Sequence, residues 1–287
     1  MTYQQIIDDI KALKIQGAEK IAVAAVEAFA LKLKETQDPA ELQKAHDELV
    51  ATRPTEPALR NALKYCLKNF QSDPNIAEYV KNFFKNSKEK IAEIGAKKIQ
   101  DGMIVFTHCH SSTVEAVLFK AWDNGKRFQV YNTETRPRFQ GRITAENIAA
   151  HGIPVTHFVD SAGRTFLKKA DLFLFGCDAV TTEGKIYNKI GTEFLAEFAS
   201  QQHTPIYSVT NSWKFDPETV NGFEEEIEQR DPKEVWDNPP KGVTIMNPAF
   251  EVTSPDIITG IITEIGIYKP ETLVLEVQKA YPWMFNN

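Results

Sequence analysis

The chain has 287 residues, 42% of them apolar and 25% charged, with a formal net charge of -6; this is an ordinary globular composition, long enough to bury a core without covalent staples. The acidic balance argues against nonspecific polyanion binding, which needs a basic face, so nucleic acid is not expected as a partner. The three cysteines, Cys66, Cys109 and Cys177, are too few and too irregularly spaced for a disulfide framework, which predicts a reducing, cytoplasmic setting.

Met1-Thr2-Tyr3-Gln4-Gln5 opens a polar helical pattern with Asp8 and Asp9, unlike the basic-then-apolar layout of a signal peptide. No run of the length and apolarity of a transmembrane span follows, so no membrane partner is expected. From Tyr3 to about Gly95 apolar residues recur at helical spacing, as in Ile6, Ile10 and Leu13, then Ile21, Ala25, Ala28 and Leu31. Breaks fall at Ile15-Gln16-Gly17, Gln37-Asp38-Pro39, Thr52-Arg53-Pro54-Thr55-Glu56-Pro57 and Ser72-Asp73-Pro74. A long charged helix is predicted over 75–100.

After Asp101-Gly102 short apolar runs alternate with helical stretches, the pattern of βα units. Strands are predicted at Met103–Thr107, Phe128–Asn132, Val155–Val159, Leu172–Gly176, Ile206–Val209 and Val243–Asn247. Continuously apolar runs such as Leu172-Phe173-Leu174-Phe175 fit parallel strands covered on both faces. The expected architecture is therefore α/β: a helical domain over 1–100, then a Rossmann-like catalytic domain over 101–287 with a mostly parallel sheet. The acidic stretch between Phe215 and Gly242, with Glu224-Glu225-Glu226 and Asn238-Pro239-Pro240, reads as a solvated excursion.

Ligands of open parallel sheets bind beyond the carboxyl ends of the strands, where strand order reverses. The first strand runs into Thr107-His108-Cys109-His110-Ser111-Ser112-Thr113, small residues opening a helix whose free amides suit an anion. A thiol there, beside imidazoles, is expected to have a lowered pKa; the alternative is a small buried hydrophobe. Three adjacent residues cannot converge on one ion, so no metal site is expected. The second strand leads to Arg136, Arg138 and Arg142 in one loop, suited either to phosphate or to surface ion pairs. Past the third comes Asp160-Ser161-Ala162-Gly163-Arg164, and past the fourth Gly176-Cys177-Asp178-Ala179. Asp178 is either a partly desolvated acid or a turn cap. Asn188-Lys189-Ile190-Gly191-Thr192 adds an amide and an ammonium group. Polar clusters converging on one sheet edge describe a pocket for a small, anionic, hydroxylated ligand. No glycine-rich dinucleotide fingerprint or phosphate-loop lysine motif is present.

Thr107-His108-Cys109-His110-Ser111, Thr135-Arg136-Pro137 with Gln140-Gly141, Gly176-Cys177-Asp178-Ala179 and Asn188-Lys189-Ile190-Gly191-Thr192 together resemble the sugar-phosphate isomerases related to initiation factor 2B. Gln16-Gly17-Ala18, Arg53-Pro54-Thr55 and Asn247-Pro248-Ala249-Phe250-Glu251-Val252-Thr253 extend the resemblance over nearly the whole chain. Within that group the chain is most similar to archaeal-type ribose-1,5-bisphosphate isomerases; methylthioribose-1-phosphate isomerases and noncatalytic translation initiation factor 2B regulatory subunits are relatives. The resemblance implies an aldose-ketose isomerase converting ribose 1,5-bisphosphate to ribulose 1,5-bisphosphate in nucleotide ribose salvage, with Cys109 and Asp178 catalytic and no metal or organic cofactor. It implies substrate-holding roles for Gly17, Ala18, Arg53 and Ser111, and likewise for Arg136, Asn188, Lys189 and Lys214. It also implies a homo-oligomer, dimeric or hexameric. Where those isomerases read Arg-Gly-Ala this chain reads Gln16-Gly17-Ala18, and losing one charge-assisted phosphate contact costs roughly 1.5–3 kcal/mol. Arg53, Lys20 and Arg60 are the candidates to compensate.

Overall fold

The computed structural model describes residues 1–73, 75–221 and 227–285; Pro74 of the fourth helical break and the run Glu224-Glu225-Glu226 lie outside them. Five helices come first: α1 (Tyr3–Lys11), α2 (Ala18–Glu35), α3 (Pro39–Val50), α4 (Pro57–Asn69) and α5 (Ile76–Ala96). The predicted breaks supply their caps. Thr2 and Gln5 close a reciprocal capping box on α1, the Asp38 side chain accepts from Ala40 N on α3, and Pro39 and Pro57 each open a helix where no donor is needed.

The chain then alternates: β1 (Ile104–Thr107), α6 (Ser112–Asp123), β2 (Gln129–Thr133), α7 (Gln140–Ala150), β3 (Val155–Phe158), α8 (Gly163–Leu167) and β4 (Leu172–Phe175). Next come β5 (Ala179–Val180), β6 (Ile186–Lys189), α9 (Thr192–Gln201), β7 (Ile206–Val209), β8 (Phe250–Thr253), β9 (Gly260–Thr263), β10 (Gly266–Tyr268) and α10 (Pro270–Ala280). Seven strands form one sheet in the order β10-β9-β7-β4-β1-β2-β3, parallel except for β10. Alternate residues of its strands face opposite layers. Val105, Leu172 and Leu174 pack with Val114, Val117 and Leu118 of α6, whereas Phe106, Phe173 and Phe175 join a cluster continuous with the helices of the first region. Gly95 of α5 permits that layering, because a Cβ there would lie 2.5 Å from Val117 Cγ2.

Five of the six predicted strands form. Val243–Asn247 does not: Val243 and Met246 are exposed, and backbone pairing there beyond a local turn is limited, among the described residues, to Arg230 N donating to Asn247 O at 2.9 Å and an isolated Gln229–Pro248 bridge. The last parallel strand is β9 instead. A second, three-stranded antiparallel sheet, β5-β6-β8, closes the edge after β4 and pairs Tyr187 with Val252 and Asn188 with Glu251. No helix among the described residues is long and apolar enough to cross a membrane.

Candidate active site

Starting from β1, the chain moves outward through β2 and β3, then returns to lay β4 on the other side of β1. The reversal puts a crevice between the carboxyl ends of β1 and β4, whose register pairs Val105 with Leu172 and Phe106 with Phe173. Cys109 follows one strand and Asp178 the other. Gly176 lets the two ends close up, since a Cβ there would sit 2.8 Å from Ser111 Cβ. A cavity of about 400 Å3 occupies the crevice. Cys109, Ser111, Asp178, Asn188, Lys189 and Lys214 line it from the sheet side, while Gly17, Ala18 and Arg53 line it from the helical region. Gln16 is also on the wall, its amide turned back to donate to Leu13 O at 2.6 Å.

Arg136 is elsewhere. Asp160 accepts from its backbone N at 2.7 Å, and its guanidinium donates to Val235 O at 3.3 Å and lies 5.0 Å over the Phe139 ring. Those contacts hold the side chain at the surface, outside the residues that line the cavity. Arg138 pairs with Glu234 and Arg142 with Glu134, the ion-pair alternative.

Cys109 adopts a left-handed backbone, φ 67°, fixed by its N–H donating to Thr135 Oγ1 at 3.0 Å and its carbonyl accepting from Thr144 Oγ1 at 3.2 Å. Such a conformation in a non-glycine residue costs energy and is held only by firm surroundings. The thiol is not activated as the sequence suggests. Burial pushes its pKa up to about 11, aided by Asp178 and Asp160 and only partly opposed by Lys189 and the His110 N–H. His108 is buried between Thr133 Oγ1 at 2.6 Å and Ile190 O at 2.9 Å, and desolvation lowers its pKa. His110 lines the cavity, with its Nδ1 beside Thr144 Oγ1 and Glu115 Oε1.

Two carboxylates of the site escape a reading of strand ends. Glu56, at the start of α4, is 4% exposed and lines the cavity; Oε1 lies 3.6 Å from Arg53, and Oε2 is buried with no hydrogen-bond partner. Burial first, then the Asp178 charge, push its pKa up to about 7. The second is Glu228, which grips Arg53 bidentately at 3.2 and 3.0 Å. Glu228 and the cavity-lining Arg230 belong to the stretch expected to be a solvated excursion, which therefore contributes to the site. Glu56 is visible in the rigid Arg53-Pro54-Thr55-Glu56-Pro57 break; no local signal marks Glu228. Lys214 donates to Cys177 O, beside Asp178, and Lys189 Nζ lies 4.7 Å over the Phe250 ring. Neither lysine, nor Lys20 on the opposite wall, has a carboxylate partner among the described residues. Such a site can bind an anion and move protons.

The initiation factor 2 subunit family model matches residues 14–270. Ribose 1,5-bisphosphate isomerase of Pyrococcus furiosus is 38% identical, over 98% of this chain and 94% of its own length. The isomerase of the same name from Methanocaldococcus jannaschii is 37% identical, over 98% and 96%. The structure of translation initiation factor eIF-2B from Pyrococcus horikoshii OT3 superposes with a TM-score of 0.82 at 29% identity, covering 93% of this chain and 97% of that one. 5-Methylthioribose 1-phosphate isomerase from Pyrococcus horikoshii OT3 gives a TM-score of 0.75 at 25% identity, covering 97% and 88%. With its family pattern matched over most of its length and its strands in the order that builds this crevice, the chain belongs to the initiation factor 2 subunit family.

Proposed function

We propose that this protein is an aldose-ketose isomerase that converts ribose 1,5-bisphosphate to ribulose 1,5-bisphosphate. The observation that carries the reading is the pairing of Cys109 and Asp178 across the switch-point crevice, in a cavity whose two walls carry lysines with no carboxylate partner among the described residues. Relatives named for this activity at 37–38% identity support it. Phosphorylation at C1 locks the anomeric carbon, so the sugar cannot open by itself. The ring oxygen must gain a proton as its bond to C1 breaks, C1 must gain another, and C2 must lose its hydrogen and its hydroxyl proton. Two protons leave and two arrive, so substrate and product are isomers.

Asp178 is placed to manage the proton on the ring oxygen, and Cys109 to act at the C1–C2 unit. Held as a neutral thiol by burial, Cys109 enters as a proton donor. Lys20 from α2 and Lys189 and Lys214 from the sheet edge offer cations to two separated phosphates, as a bisphosphate requires and a thioether sugar does not. The reading includes a homo-oligomer, which light scattering on the purified protein tests. Activity is tested by incubating wild type and Cys109→Ser with ribose 1,5-bisphosphate and following ribulose 1,5-bisphosphate. Turnover confined to wild type is expected; no turnover by folded wild type sinks the proposal.

A further inference from the structure

His110 lines the cavity next to Cys109, and its hydrogen bonds determine which ring nitrogen carries the proton. Thr144 Oγ1 donates its single hydrogen to the Cys109 carbonyl, which can only accept, at 3.2 Å. The same hydroxyl lies 3.1 Å from His110 Nδ1 and must therefore accept there, so Nδ1 is the protonated nitrogen. Glu115 reinforces the assignment: its Oε1 lies 3.3 Å from Nδ1, in a side chain 9% exposed, and is held by Asn147 Nδ2 at 3.0 Å. Nε2 then carries a lone pair. It has no hydrogen-bond partner among the described residues, in a side chain that is 31% exposed and lines the cavity.

A carboxylate and a hydroxyl on one face of an imidazole, with the other nitrogen free toward substrate, is the arrangement of an oriented proton acceptor. We propose that His110 is a further catalytic residue of the isomerisation, accepting at Nε2 the proton of the C2 hydroxyl as C2 becomes a carbonyl. The O–H bond at C2 breaks, its electron pair forms the C=O bond, and the imidazole becomes an imidazolium stabilised through Nδ1 by Glu115. Asp178 protonates the ring oxygen and, now a carboxylate, takes the hydrogen of C2 as a proton; the Cys109 thiol protonates C1, and the proton on the imidazolium restores that thiol through solvent after product leaves. The role rests on the isomerase reading above. The titratable and charged groups around the ring are Glu115 from α6, Cys109 on its own loop, and Glu19, Lys20 and Lys88 on the facing wall; α7 packs against it with Thr144 and Asn147, which are uncharged.

The test compares wild type, His110→Asn and Glu115→Gln with ribose 1,5-bisphosphate across pH 5–9, alongside nitrogen-15 NMR of the His110 ring in the free protein. His110→Asn is expected to lower kcat about 100-fold, the usual scale of one general acid or base, with KM changed less than threefold and the acidic limb of the kcat profile gone. Glu115→Gln should lower kcat less than His110→Asn does and move that limb to lower pH. The NMR spectrum should show the neutral ring protonated at Nδ1, a result that needs no substrate. A KM effect with kcat intact, an unchanged acidic limb or a ring protonated at Nε2 overturns the proposal. Wild-type inactivity with the Nδ1-protonated ring present overturns the substrate reading and leaves the oriented histidine standing.

Discussion

Replacing the reagent rather than the residue tests the protonation of Cys109. At pH 8 a thiol of pKa about 11 is about 0.1% thiolate, against about a quarter for an ordinary thiol near 8.5, a roughly 240-fold deficit. Thiolate nucleophilicity rises with basicity at a Brønsted slope of about 0.4–0.5, which returns roughly 10- to 18-fold over that interval. Reaction with a small methanethiosulfonate is therefore expected to run about 15- to 25-fold slower than with a free thiol at pH 8. Restricted access would slow the reaction too, but equally at every pH. The diagnostic is the slope: the Cys109 rate, followed by intact mass, should climb about tenfold per unit from pH 7 to 9.5 without levelling. Cys66 and Cys177 are buried and their thiols are pushed up to about 12, so they stay silent, and Cys109→Ser supplies the blank. A plateau below pH 9 would refute the reasoning and restore an activated thiolate.

Glu56→Gln should change how stability depends on pH. The folded carboxyl binds its proton more tightly than the unfolded one, so wild type loses stability as pH rises from about 4.5 through about 7. The variant should flatten that fall in Tm between pH 5 and 8; parallel curves from calorimetry would contradict the buried-acid assignment. Gly176→Ala should drive a methyl into Ser111, whose Cβ is fixed to the backbone, costing about 1–3 kcal/mol and at least tenfold in kcat by separating the Cys109 and Asp178 loops. Denaturant titration and steady-state kinetics check both. Lys214→Met should raise KM for a sugar phosphate about tenfold or more, the scale of one charge-assisted contact, while an unchanged KM would remove Lys214 from the phosphate set.

The sheet was legible where burial writes itself into local pattern. Leu172-Phe173-Leu174-Phe175 is apolar on both faces because layers cover both, and Cys109 and Asp178 stand out because they end such runs. The small sheet was not legible: β5 has two residues, and β6 pairs with β8, more than sixty positions away, so neither periodicity nor turn chemistry announces it. Val243–Asn247 is an apolar run that gains no ladder, since among the described residues only its last residue meets backbone beyond a local turn, at Arg230 N. Arg53 lies on the cavity wall, but its partner Glu228 lies 175 residues on and leaves no trace in local sequence. A helix start and two histidines suggest a stabilised thiolate at Cys109, whereas burial of the thiol outweighs them and raises its pKa.

The charge arrangement explains how an acidic protein keeps a site for anions. Each arginine at the cavity is already engaged, Arg53 by Glu228 and Arg230 by Glu234 at 2.8 Å, and Lys88 is engaged by Glu19 at 2.9 Å. A cation buried alone would be costly, so these pairs let the empty cavity exist. A dianionic phosphate entering beside Arg53 exchanges one bidentate acid for another and loses little, while a neutral sugar offers nothing to replace Glu228. Lys20, Lys189 and Lys214, which carry no such acid among the described residues, then supply the net attraction. Gln16 in place of an arginine removes one cation from this set without leaving a carboxylate stranded, because its amide bonds Leu13 O within its own turn. The loss therefore falls on affinity for one phosphate rather than on the integrity of the site.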